Sequence, residues 1–64
     1  MFKKGDMVTL KVEGERLQYM NLEFQTWVKE NSGKRFYVES VYEESVKLSK
    51  VFFRVSFDFL EEAK

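Results

Sequence analysis

Between Lys34 and Leu60, apolar and polar residues alternate with a period of two through three short runs. They are Lys34-Arg-Phe-Tyr-Val-Glu-Ser-Val-Tyr42, Val46-Lys-Leu-Ser-Lys50 and Val51-Phe-Phe-Arg-Val-Ser-Phe-Asp-Phe-Leu60, with a polar corner at Glu43-Glu44-Ser45 after the first. Successive strand side chains point to opposite faces, so this period gives each run one apolar face. The β-branched and aromatic residues that fill it suit a pleated, half-buried surface. The pattern predicts a β-meander, which in a chain this short closes into a small barrel. Phe36 and Val38 point inward, and a bulge at Glu39-Ser40-Val41 shifts the parity so that Val41 points inward too. Val46 and Leu48 continue the inner face. In the last run Phe53, Val55 and Phe57 share a face opposite Phe52, Arg54 and Ser56.

Upstream, the Gly5-Asp6 turn introduces a strand over Met7–Val12 with Val8, Leu10 and Val12 on one face. Glu13-Gly14-Glu15 ends it. The period then changes: Leu17, Met20, Phe24, Trp27 and Val28 recur at helical steps. With Asn21 as N-cap and Gly33 as stop, the spacing predicts a helix over residues 22–31. A start near Arg16 is the alternative, as is an extended loop at Tyr19-Met20-Asn21. Phe24, Trp27 and Val28 are expected to close one end of the barrel. Asp58-Phe59-Leu60-Glu61 has capping-box spacing and predicts a helical turn that brings Leu60 back over the core.

Composition narrows the picture. Sixty-four residues make one domain, residues 1–64, with one core, and a chain of this size gains only roughly 3–5 kcal/mol from it. Neither cysteine nor histidine is present to add a disulfide or a zinc knuckle. Seven Phe, three Tyr and one Trp are read first as core filling. Eleven basic and eleven acidic residues cancel, whereas a nonspecific nucleic-acid binder carries a basic excess. No signal-peptide stretch and no membrane-length apolar run is seen. The expectation is a cytoplasmic chain without membrane contact.

Candidate chemistry is sparse. Without His or Cys, the commonest general base and the best thiolate nucleophile are missing, and no phosphate loop or nucleophile elbow is present. Glu43-Glu44 is a solvated hairpin corner. No catalytic, cofactor or metal residue is assigned, and the chain is read as a non-enzyme. Lys47, Lys50 and Arg54 on adjacent strands, near Tyr37, Tyr42 and Phe52, suit single-stranded nucleic acid through base stacking flanked by cations. Against this, the same cations balance Glu39, Glu43, Glu44 and Asp58 across paired strands. Eleven rings exceed what so small a core holds. Tyr19, Met20, Leu22, Tyr37 and Phe52 are therefore the candidates for an exposed protein-binding surface. An unpaired strand edge offers a third route, self-association into a homo-oligomer.

The series Phe2-Lys-Lys-Gly-Asp-Met-Val8, Gly33-Lys-Arg-Phe-Tyr-Val38, Val41-Tyr-Glu-Glu-Ser-Val-Lys-Leu48 and Phe57-Asp-Phe-Leu-Glu61 resembles the small SH3-like barrel proteins common in phage, prophage and other mobile-element genomes of bacteria. The resemblance covers nearly the whole chain, through fold motifs and not active-site motifs. It implies a mainly β, five-stranded SH3-like barrel with a short helix inserted after the first strand, where Leu17–Val28 replaces the usual long first loop. It also implies an interaction module that binds a protein and modulates a host enzyme or a defence system. It supplies no catalytic residue.

Overall fold

Gly5 takes φ +92°, which costs a residue without Cβ little. The Lys3 amide donates to the Asp6 carboxylate at 2.8 Å across this turn. The turn feeds strand β1 (Met7–Leu10) in the computed structural model, which describes residues 2–63. Two short helices follow, α1 (Gly14–Leu17) and α2 (Leu22–Glu30). Next come β2 (Arg35–Val41), β3 (Ser45–Leu48) and β4 (Arg54–Ser56), a 3-10 turn over Phe57–Phe59, and β5 (Leu60–Glu62). The strands form one antiparallel sheet in the order β4-β3-β2-β1-β5. Strands β4 and β5 are its two margins and are not paired with one another among the described residues, although only the 3-10 turn separates them in sequence.

The insertion after β1 holds two helices where the periodicity predicts one. Helix α2 starts as expected, with the Asn21 side chain accepting from the Phe24 amide at 2.8 Å. It ends at an Asn31 cap, and Gly33 sits two residues beyond at φ +83°. Helix α1 is a single turn whose N-cap Glu13 makes no side-chain bond. So short a helix gives no periodic signal and holds through packing of buried Leu17.

Register explains which residues reach the core. Val8 opposes Phe36, Leu10 opposes Leu60, Val38 opposes Leu48 and Val46 opposes Val55. The bulge falls between Val38 and Ser40, as the parity shift predicts. It places Val41 opposite Val46, but at the strand end Val41 keeps 40% of its surface exposed. Strand β4 is shorter than the last apolar run. Val51 precedes it and is buried, while Phe53 is 41% exposed and Phe57 lies in the 3-10 turn. Val12 falls beyond β1 and is half-buried. The closing turn is capped by Ser56, whose hydroxyl accepts from the Asp58 amide at 3.3 Å, and not by Asp58 as the spacing predicts. Leu60 does return to the core.

Among the described residues, those fully enclosed are all Val and Leu: Val8, Val38, Val46, Leu48, Val51, Val55 and Leu60 form the cluster. The expectation that rings fill the core is corrected. Rings form a half-exposed layer around the aliphatic center, because a chain this small cannot surround a large side chain on every side. Trp27 and Phe24 of α2 meet Phe36, Phe53 and Phe59 in this layer, at centroid separations from 4.9 to 6.2 Å. Offset and edge contacts of this kind add to the area they bury.

Candidate functional site

Outer-face residues of the β2-β3-β4 sheet carry the cations singled out in the sequence. Register sets Ser40 opposite Lys47 and Lys47 opposite Arg54, so those two basic side chains do share a row. Each is already engaged. The Lys47 ammonium lies 3.6 Å from the Glu39 carboxylate and donates to the Leu48 carbonyl at 3.0 Å. The Arg54 guanidinium sits over the Tyr42 ring, 3.8 Å from its centroid. A ring face covered by a cation in this way is closed to base stacking from that side.

Lys50 stands apart from that row. Beyond Leu48 the chain leaves β2: the Ser49 amide makes one more bond to the Tyr37 carbonyl at 2.9 Å, and Lys50 turns the backbone away at φ +66°. Val51 is then pulled into the core, and Phe52, on the opposite side of the chain, is 97% exposed. Where the strands part, a cleft of about 290 Å³ opens between Arg35, Phe36, Tyr37, Ser49 and Lys50. Tyr37, one of its walls, is 56% exposed.

The remaining protein-binding candidates lie on the helical insertion. Tyr19 and Leu22 are 84% and 77% exposed. Met20 departs from the expectation of an exposed position: it is half-buried, and its carbonyl accepts from the Gln25 side chain at 2.6 Å. The structure thus divides the five candidates into Tyr19, Met20 and Leu22 at the α1–α2 corner and Tyr37 and Phe52 around the β2–β3 end. Sequence reading missed Arg35 as a cleft residue and the Arg54–Tyr42 stack. The first depends on where β3 parts from β2, and the second on register across the bulge.

A second cleft, about 340 Å³, lies where α1 faces the 3-10 turn and is lined by Lys11, Val12, Glu13, Arg16, Asp58, Phe59 and Leu60. Its cations are answered internally: Lys11 meets Glu61 at 3.3 Å, and Arg16 meets Asp58 at 3.7 Å. Among the described residues, no three acidic side chains gather as they would around a metal ion. No helix among them is long and apolar enough to cross a membrane.

No protein-family model, curated protein or solved structure matches the chain.

Proposed function

We propose that this chain is a non-enzymatic interaction module that binds a protein partner through exposed apolar side chains. One observation carries the reading. Tyr19, Leu22, Tyr37 and Phe52 stand in solvent on a 64-residue chain whose enclosed core, among the described residues, is built of Val and Leu. Large rings and aliphatic chains held outside a core are the usual anchors of protein interfaces. Tyr37, which lines the β2–β3 cleft, and Phe52, two residues after its Lys50, form the leading face, with Tyr19, Met20 and Leu22 as a second contact.

The sheet order supports an SH3-like barrel. Its margins β4 and β5 are joined by a three-residue 3-10 turn, a connection that suits a curled sheet, and the long insertion falls between β1 and β2. Membership among phage or mobile-element proteins, a cytoplasmic setting, and a partner that is a host enzyme or defence component rest on the sequence resemblance.

Single-stranded nucleic acid ranks below a protein partner. Of the three cations that reading uses, Lys47 is held by Glu39 and Arg54 lies on Tyr42. The net charge of zero adds no long-range attraction to phosphates.

The test begins with capture of a partner from a bacterial lysate on the immobilised chain, followed by titration of the purified pair. Tyr37→Ala and Phe52→Ala should each weaken that complex by about tenfold or more while leaving the thermal melt in place. Unchanged affinity in both variants removes the assignment of this face. An oligonucleotide that binds at low salt and is released as salt rises replaces the protein reading with the nucleic-acid one. Light scattering on the purified chain decides whether the partner is a second copy.

A further inference from the structure

The geometry points to the Arg35–Tyr37–Lys50 cleft as a receptor for an acidic peptide segment, one that sets a carboxylate beside an aliphatic or aromatic side chain. This inference rests on the protein-binding reading and names the chemistry of the partner's docking segment. The cleft is lined by Lys50, a half-exposed tyrosine, Phe36, Ser49 and Arg35, which has an interaction of its own, and no acidic residue lines it. Glu39, the nearest acid along β2, is held by Lys47. Lys50 is exposed and makes no ion pair among the described residues.

Backbone conformation supplies an independent observation. Among the described residues, Lys50 is the non-glycine residue held at positive φ. An L-residue in that region is strained, and such strain concentrates at ligand-binding positions, where a side chain is kept in spite of its conformational cost. Glycine fits the turn better but offers no charge. Polarity along the β2–β3 hairpin fits the same occupant: Glu43 and Glu44 form its far corner, and Lys34, Arg35 and Lys50 gather at the near end. An acidic segment is therefore drawn to the cleft and repelled from the corner. Tyr37 and Phe36 offer apolar surface in the same cleft as the cation, which a fully hydrated polyanion does not need. That is the ground for choosing a mixed acidic and apolar peptide over nucleic acid.

The experiment is fluorescence anisotropy on the full chain with three labelled probes: a decapeptide of glutamates around a central Leu-Phe pair, its lysine counterpart, and a ten-nucleotide oligothymidine. The acidic peptide should bind, more weakly as salt rises, and the lysine peptide should not. Lys50→Gly removes the charge while relaxing the backbone, so it should weaken acidic-peptide binding at least fivefold without loss of stability. Tyr37→Ala should weaken it similarly. Lys29→Glu, an exposed charge reversal on α2, should change it less than twofold. Equal effects of the Lys29 and Lys50 variants, or tighter binding of oligothymidine at the same residues, overturn the proposal. Should the captured partner lose affinity with Tyr37→Ala but not with Lys50→Gly, the acidic-segment inference fails while the protein-binding face stands.

Discussion

The Trp27 indole meets the Phe53 ring at 4.9 Å and an interplanar angle of 75°, which joins the helical insertion to the segment leading into β4. Trp27 also contacts Phe36 and Phe24, so one side chain links α2 to two distant parts of the sheet. Its truncation to alanine should cost about 3 kcal/mol, the low end for a large aromatic because the indole is only half-buried. That approaches the roughly 3–5 kcal/mol a core of this size supplies. Trp27→Ala should therefore lose most of its cooperative thermal transition by circular dichroism. Phe52→Ala removes a ring that is 97% exposed and should move the midpoint by less than about 0.5 kcal/mol.

Backbone conformation gives a pair of substitutions with opposite signs. Lys50→Gly relieves a left-handed lysine and should raise stability by about 0.5–1 kcal/mol in urea unfolding. Gly33→Ala places a Cβ on a residue at φ +83° and should cost about 1 kcal/mol. Space is not the reason, since a Cβ at Gly33 meets nothing within 4 Å. A destabilised Lys50→Gly protein would mean that the lysine side chain contributes to the fold itself.

The Asn21 side chain caps α2 at its start. Asn21→Ala should cost about 1 kcal/mol, and Asn21→Ser or Asn21→Asp should recover most of it. Amide hydrogen exchange at Phe24 is the local readout. It should speed up in the alanine variant and return toward normal in the other two.

The Arg54–Tyr42 stack is open to a double-mutant cycle. Arg54→Ala, Tyr42→Ala and the double variant should show a coupling of about 0.5–1 kcal/mol in urea titrations. Arg54→Lys should keep only part of it, because an ammonium lacks the flat guanidinium that lies along the ring. Zero coupling would show that the stack contributes nothing to stability and leave the Tyr42 ring open to a ligand.

The parts of the fold set by local pattern were legible in the chain. Alternation placed Val38, Val46, Leu48 and Val55 inside, the break in parity marked the bulge beside Glu39, and Asn21 marked the start of α2. Positions decided by long-range geometry were not. Val51 stands between Lys50 and Phe52 with nothing in its neighbours to show that a left-handed turn swings it inward. Phe53 looked like a core residue by alternation, but β4 begins only at Arg54, and the ring is left against α2. The candidate surface was half-visible. Exposure of Tyr19, Leu22, Tyr37 and Phe52 follows from a surplus of large apolar residues over core volume. The cleft beside Lys50 exists only because β3 parts from β2 at Ser49.

Strand β5 pairs with β1 at one margin of the sheet, with Leu10 opposite Leu60 and Val8 opposite Glu62. During synthesis, then, β1 emerges well before the strand that covers its free flank. Folding driven by so distant a pairing is slow to start and hard to complete in fragments. Until β5 has formed, β1 offers an adhesive margin to whatever else is nearby.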